Sequence, residues 1–578
     1  MSRAQNQHTH RREFRRKLLI VCALFGFYGF AIVAKLFYLQ VIKRSELVSR
    51  AEKQYMRTVK VFYDRGKIFD RNGSELAANL EMESVYVHPG EVRDKRQTAR
   101  MLARVLGREF REIFGKLKSN KNFVWVMRKV DPKKAQNLKQ LRLPGVGFVS
   151  EQKRFYPKRE LASGVMGFVG LDNQGLAGAE HYHDSVLRGM TSLRIMKKDA
   201  LGRSMQMGSK GDDFSRASDV FLSIDEVIQF IAEFELSRQV DKFKAKAGLV
   251  IVMDPNTGEI YAMANVPQFN PNSYASYAPE LWRNPNISSS YEPGSTFKPI
   301  VAAAVLESGM AKPNDIFFCE NGSYLVGSTR IGEASNHRFG WLTLAGIIEK
   351  SSNIGAIKIA EKLGQKRLHD FVRRFGFGKK SGVRLPGESG GQLRDLKDWS
   401  KLSASSISFG HEIGATPIQM ISAVSAIANG GNLMHPLIAK KFTRGGETLR
   451  TFEPVRVTRA ISLKTSRQMV EILKAVVRKG TGKKAAVSGY DVAGKTGTAQ
   501  KYDRKVQAYS DNAYMASFVG FVPADSPRLA ILVMIDEPKG VFWGGDVAAP
   551  VFRRIARRSL RYLNVPPRGE KVFILNPA

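Results

Sequence analysis

The segment Tyr291–Met310 reads YEPGSTFKPIVAAAVLESGM, and its local chemistry decides how the surrounding chain is read. Pro293-Gly294 breaks whatever precedes it. Pro299 has no N–H, so a helix tolerates it only in its first turn. A helix therefore begins close to Ser295. Its body, Ile300 to Leu306, is apolar on every side, which predicts burial rather than a surface position. Gly309 is placed to end it. Ser295 and Lys298 lie three residues apart, on one helical face and within hydrogen-bonding reach. A serine hydroxyl becomes a nucleophile only when a base takes its proton. Lysine serves as that base only if burial or a neighbouring cation depresses its pKa. The helix N-terminus adds N–H groups aimed at developing negative charge. A serine-x-x-lysine spacing alone is common in any chain. The weight comes from its setting, after Pro-Gly and at the mouth of a buried helix.

Two further segments complete a constellation. EKSSNIGAIKIAEKLG (Glu349–Gly364) places Ser351-Ser352-Asn353 at a break between helical stretches. There Ser351 is suited to relay a proton between Lys298 and a leaving amine, and Asn353 to hold the lysine and a substrate amide. In isolation this is an ordinary helix-capping pattern. YDVAGKTGTAQ (Tyr490–Gln500) reads as a strand beside the serine. Lys495 and the hydroxyls of Thr496 and Thr498 suit a substrate carboxylate. Gly497 permits close backbone approach, and the Thr498 N–H is positioned to complete an oxyanion hole with that of Ser295. Two look-alikes are set aside. Lys380-Ser381-Gly382 sits in a glycine-rich turn, and Ser510-Asp511-Asn512 follows the lysine strand in a polar stretch read as a loop.

Outward from these segments, DVFLSIDEVIQFIAEFELSRQV (Asp219–Val240) begins as a strand and becomes a helix. AGLVIVMDPNTGEIYAMANV (Ala247–Val266) reads as a β-hairpin. MASFVGFVPADSPRLAILVMIDEP (Met515–Pro538) supplies two more strands, and APVFRRIARRSLRYL (Ala549–Leu563) a closing helix. Strands at both ends with helices between predict an α+β fold whose antiparallel sheet is assembled from distant parts of the chain and flanked by helices.

At the N-terminus, Arg3, Arg11, Arg12, Arg15, Arg16 and Lys17 face a single acid, Glu13. An apolar run follows from Leu18 to Ala34, then Lys35 and Leu36-Phe37-Tyr38-Leu39. With Lys35 snorkelling, residues 18–40 are expected to span a bilayer once, with residues 1–17 cytoplasmic and the remainder outside. A cleaved signal peptide is the competing reading. The run is long for one, and no A-x-A site follows. Residues 41–218 read as an irregular α+β module opening on a helical stalk, 219–565 as the catalytic domain, and 566–578 as a loose tail.

The 578 residues carry 91 Lys+Arg against 53 Asp+Glu, a net charge of +38. Such an excess favours polyanionic partners. Nucleic acid conflicts with the topology, which leaves anionic lipid headgroups, acidic cell-wall precursors or a generally basic background. Cys22 lies in the apolar segment, so no disulfide with Cys319 is expected. The histidine pairs His8/His10 and His181/His183 lack companion ligands and read as surface residues, not a metal site.

The ordered set S-x-x-K, S-x-N and K-T-G is the signature of penicillin-recognising serine enzymes. Over nearly its whole length the chain resembles the class B penicillin-binding proteins. RGKIFDRNG (Arg65–Gly73), RFYPKRELASGVMGFVG (Arg154–Gly170) and GLAGAEHYHDSVLRG (Gly175–Gly189) look like the non-catalytic boxes of that family's pedestal module, in the family's order. YEPGSTFKP, SSNIGAIKIA, GKTGTAQK, SFGHEIGATPIQM (Ser408–Met420) and GGDVAAPVF (Gly544–Phe552) look like its septal, cell-division branch, although His411-Glu412 depart from the more usual residues. The elongation branch usually carries aspartate in the second motif. The resemblance implies a D-alanyl-D-alanine transpeptidase acting on peptidoglycan stem peptides from lipid II-derived glycan. Ser295, Lys298, Ser351, Asn353 and Lys495 would be its catalytic groups, and Thr496, Gly497 and Thr498 would bind substrate. β-Lactams would acylate Ser295. It implies no metal or organic cofactor, a place in the inner membrane, and partnership with a polytopic lipid II polymerase and other division proteins. Gly26 and Gly29 would allow close packing of the membrane helix, though such pairs are more often incidental. A carboxypeptidase or β-lactamase, a β-lactam sensor and a non-enzymatic scaffold are the rival readings. The pedestal boxes and the anchor weigh against the first. The short cytoplasmic tail weighs against a sensor, and the retained catalytic residues weigh against a scaffold.

Overall fold

The computed structural model describes residues 3–61, 64–188, 192–198, 204–205, 217–503 and 508–568. The last ten residues of the expected tail lie outside this set. The chain forms two compact units, residues 1–63 with 190–216, and residues 64–189 with 217–578.

The first unit opens with helix Arg3–Phe37, a short π turn at Tyr38–Ile42 and a stalk helix, Arg44–Tyr55. Among the described residues, Phe14–Ile42 is the one stretch of helix long and apolar enough to cross a membrane. Its large apolar side chains, Leu19, Phe25, Phe27 and Phe30 among them, stand exposed, as a bilayer-facing surface requires. Strands Met56–Val61, Ser192–Lys198 and Ser204–Met205 form a small antiparallel sheet.

The second unit is organised by a five-stranded antiparallel sheet. Its order is Ile260–Val266, Ala247–Met253, Leu529–Asp536, Ala508–Val522 and Ala493–Asp503. The first three strands are apolar at nearly every position, so both faces are covered. Val250, Val252, Ile531 and Val533 pack with Ile228, Leu236, Phe552 and Ile555 of helices Glu226–Lys242 and Ala549–Tyr562. The alternate residues, Ile251, Met253, Leu532 and Met534, pack on the opposite face with Ile300, Val301 and Val424 of helices Lys298–Glu307 and Pro417–Ala428. The period-2 alternation thus distributes one strand between two cores. The Lys298–Glu307 helix is buried throughout up to Leu306, and Gly309 follows it with φ +68°.

A second sheet joins the segment before residue 189 to the rest. Its order is Glu447–Thr451, Ala439–Arg444, Asp219–Leu222, Ile68–Phe69, Glu75–Val87 and Val124–Val130, with Val146–Phe155 also paired to Glu75–Val87. Ile68 and Phe69 run parallel to Val220 and Phe221. The three boxes meet beside this junction. Glu180 accepts from Arg65 Nε at 2.7 Å, Arg154 Nε at 2.6 Å and Tyr156 Oη at 3.2 Å. Arg65 also reaches Asp184 Oδ1 at 2.6 Å. Arg65, Arg154 and Glu180 are buried. Asp70 closes the DRNG turn by accepting the N–H groups of Asn72 and Ser74, and its other oxygen accepts the Glu226 N–H at the start of the Glu226–Lys242 helix. The turn is therefore both local and tertiary.

Three expectations change. Ser510-Asp511-Asn512 lies within the Ala508–Val522 strand rather than in a loop, at the irregularity where the register with Ala493–Asp503 shifts between Gln500 and Tyr502, and the Ser510 hydroxyl accepts the Asn512 and Ala513 N–H groups there. His183 is buried against Phe442, not on the surface. Burial pushes its imidazole down to about 4, aided by the nearby Arg384 charge. The start of the tail is held: Arg568 N–H donates to Gly489 O, and its guanidinium pairs with Asp491 and Asp525.

Candidate active site

Three chain segments converge on Ser295. The first is the short 3-10 turn Gly294–Thr296, which runs into the Lys298–Glu307 helix. Gly294 holds φ +56°, and its N–H donates to Gly410 O at 3.1 Å. This fixes the turn from the side of the loop carrying His411. Lys298 is fully buried at the helix start.

The second segment is the break between helices Leu344–Lys350 and Asn353–Leu363. Ser351 sits there at φ +64°, a left-handed conformation costing a non-glycine residue on the order of 1–3 kcal/mol. In this position Ser351 presents both its carbonyl and its hydroxyl to Lys298. Ser352 caps the next helix through the Gly355 N–H.

The third segment is the edge strand Ala493–Asp503, whose free edge lies along the Ser295 turn. Here Gly497 has a reason other than substrate approach. A Cβ at Gly497 would meet Ser517 Oγ at 2.5 Å and Thr296 Cγ2 at 2.8 Å. The glycine lets the strand close on the nucleophile's turn. Gly544 has a similar constraint, since its Cβ would lie 2.2 Å from Gly497 O.

The polar groups form one connected set. Lys298 Nζ donates to Ser351 O at 2.6 Å and Asn353 Oδ1 at 2.7 Å, with Ser351 Oγ at 3.4 Å. Its hydrogen bonds thus run to the second motif rather than to Ser295, a contact that tightens in many enzymes only with substrate bound. Lys495 Nζ donates to the same Ser351 hydroxyl at 2.9 Å, so Ser351 Oγ lies between the two lysines. Asn353 Nδ2 donates to Gly332 O at 3.1 Å. That fixes the carboxamide with its oxygen toward Lys298 and commits one of its two amide hydrogens, leaving the other for substrate. Thr496 Oγ1 pairs with Thr481 Oγ1 at 2.6 Å, and Thr498 Oγ1 accepts from the Gly544 N–H at 3.0 Å.

Burial pushes the Lys298 ammonium down to about 7, against the Glu333 carboxylate, which favours the charged form. Burial and the neighbouring Lys298 charge hold Lys495 well below its ordinary value. Two cations brought together in a dry site cannot both keep their protons cheaply, which is the condition for a lysine base.

The site opens into a cavity of about 360 Å³ lined by Ser295, Ser351, Thr496 and Thr498. Thr481, Lys483 and Trp543 line it too, and the sequence reading passed over them. The glycine-flanked, doubly basic GTGKK (Gly480–Lys484) was the available signal. Glu333 also lines the cavity and was passed over. No local pattern marks it.

Comparisons with known proteins bear on the family of the whole chain. Residues 248–557 match the penicillin-binding protein transpeptidase domain, and residues 63–216 the penicillin-binding protein dimerisation domain. Stage V sporulation protein D of Bacillus subtilis is 36% identical, covering 96% of this chain and 87% of its own. Peptidoglycan D,D-transpeptidase FtsI of Escherichia coli K12 is 33% identical, covering 99% and 96%. The crystal structure of penicillin-binding protein 3 from Mycobacterium tuberculosis, complexed with aztreonam, superposes with a TM-score of 0.69 at 28% identity, covering 88% of this chain and 98% of that one.

Proposed function

This chain belongs to the class B penicillin-binding proteins, serine enzymes of peptidoglycan D,D-transpeptidation, and from that premise we propose that it serves the division septum, with Ser295 carrying the acyl group. The observation that carries the catalytic assignment is the continuous hydrogen-bonded set of Lys298, Ser351, Asn353 and Lys495, drawn from three segments and placed beside Ser295. A neutral lysine amine has two hydrogens and one lone pair. Ser351 O and Asn353 Oδ1 take the hydrogens, which leaves the lone pair for the Ser295 proton. As that proton moves to Lys298, Ser295 Oγ bonds to the carbonyl carbon of the penultimate D-alanine. The negative charge that builds on its oxygen collects on the N–H groups of Ser295 and Thr498. Ser351 hands the proton on to the departing D-alanine amine, and the carbon–nitrogen bond breaks. An amine from a neighbouring stem peptide then resolves the ester. Thr496 and Thr498 face the substrate carboxylate, with Lys495 buried next to them and bonded to Ser351 and Thr496. A β-lactam follows the first half of this course and remains on Ser295.

The pH dependence follows from the base. Lys298 acts only when neutral, and burial places its pKa at about 7. Acylation by a penicillin rises as pH climbs through about 7 and levels off above it. Stopped-flow acylation rates from pH 5.5 to 9 measure this limb. A profile flat down to pH 5.5 would remove Lys298 as the titrating base.

The septal assignment rests on asparagine in the second motif and on the near full-length match to FtsI of Escherichia coli. In this reading the N-terminus is cytoplasmic, the catalytic unit lies outside the inner membrane, and the membrane helix packs beside a polytopic lipid II polymerase. A sporulation role is the second reading, favoured by the 36% identity to stage V sporulation protein D. Depletion in the source bacterium separates these. Filaments without septa are expected. Rounded cells would indicate elongation, and normal division with defective spores would indicate the sporulation role.

A further inference from the structure

We propose that Glu333 is a positioning residue for the serine–lysine pair, acting through Asn353. The inference rests on the reading of Ser295, Lys298 and Asn353 given above. Glu333 precedes the short turn Ala334–Asn336 and is buried, only 8% exposed. Its carboxylate clamps the start of the Asn353–Leu363 helix. Oε2 accepts the Asn353 N–H at 2.6 Å, and Oε1 accepts the Ser352 hydroxyl at 2.5 Å and the Ile354 N–H at 3.3 Å. The Asn353 and Ile354 N–H groups are ones that no turn of the helix itself can satisfy, and an anion there is favoured by the helix dipole. The residue before it completes the grip, because Gly332 O accepts from Asn353 Nδ2 at 3.1 Å. Residues 332 and 333 therefore hold Asn353 by backbone and side chain together. They leave free Oδ1, the acceptor on which Lys298 rests at 2.7 Å. Without the clamp the carboxamide is free to rotate, and the lysine lone pair loses its fixed direction toward Ser295.

Glu333 acts on the lysine in a second way, through its charge, which favours the ammonium form. The other titratable groups sensing Lys298 are Lys495 on the sheet edge and His411, which is held by Tyr509 and Glu292 on the opposite side. A group that only braces the fold would change the amount of active protein. It would not move the pH at which Lys298 titrates.

The test is the acylation rate of the full-length protein in detergent with a fluorescent penicillin, across pH, for wild type, Glu333→Gln and Glu333→Asp. Glutamine keeps the size but loses the charge and one strong acceptor. The expected result is a fall on the order of ten- to a hundred-fold in the limiting acylation rate, with the acid limb displaced to lower pH. Aspartate keeps the charge on a shorter arm, so its limb stays at the wild-type pH while the rate falls less. The profiles are repeated in a His411→Gln background, where the displacement must persist. If Glu333→Gln does not fold, the aspartate variant decides alone, and a wild-type rate there overturns the proposal. An unmoved limb in Glu333→Gln, with a loss of rate that only follows the loss of folded protein, overturns it too. A wild-type protein that takes up no penicillin would instead overturn the reading of the site itself.

Discussion

Ser295→Ala is expected to lower D-alanine release from a stem-peptide substrate by on the order of a million-fold, the scale on which a serine enzyme loses its nucleophile. The fold should be untouched, because Ser295 is a partly exposed residue on a turn held by its neighbours. Gly294 is tied to Gly410, and the Thr296 hydroxyl bonds to Pro293 O at 2.7 Å. A thermal midpoint equal to wild type, together with release at background, is the predicted pair of results. Release within ten-fold of wild type would mean that another group carries the acyl step. Neither lysine can substitute in that role. Both are buried behind Ser351, and Lys495 spends its donors on Ser351 and on Thr496.

The second large effect concerns stability, far from the chemistry. Glu180→Ala leaves Arg65 and Arg154 buried without their shared counter-charge, and breaking a buried ion set in this way costs about 3–5 kcal/mol. Asp184 retains one contact to Arg65 but does not reach Arg154. The thermal midpoint of the full-length protein should fall sharply, and penicillin uptake at low temperature should persist. Replacing Arg65, Arg154 and Glu180 together by apolar residues of similar volume should recover much of the loss, because no unpaired charge remains. A midpoint unchanged by Glu180→Ala would show that water reaches the two guanidinium groups.

What the sequence made legible follows from how far apart the determinants lie. Pro299 in a first turn, Gly309 after an apolar run and the D-P-N-T-G hairpin act over a few residues, and each lies where local rules place it. The five-stranded sheet was anticipated as antiparallel and assembled from both ends, because its strands are long, apolar and bounded by turns. The second sheet was not anticipated. Ile68–Phe69 is two residues long and gains its partner from residue 220, and no periodicity shows in so short a strand. Ser510–Asn512 reads as a loop from its polar side chains, but the pairs Tyr502–Tyr509 and Gln500–Tyr514 on either side keep it within the strand. His183 was misplaced because a histidine in a polar run carries no sign that an aromatic partner more than two hundred residues later will cover it. Glu333 was invisible for the same reason, since its role exists only once the Asn353 helix has folded against it.

The central claim is that Ser295 carries the acyl group. Its most direct test is the intact mass of the full-length, detergent-solubilised protein after exposure to a penicillin, followed by peptide mapping of the adduct. The account predicts one stable adduct, located in the peptide containing Ser295 and absent from Ser295→Ala. A stable adduct on any other residue, or one that survives in Ser295→Ala, would contradict it.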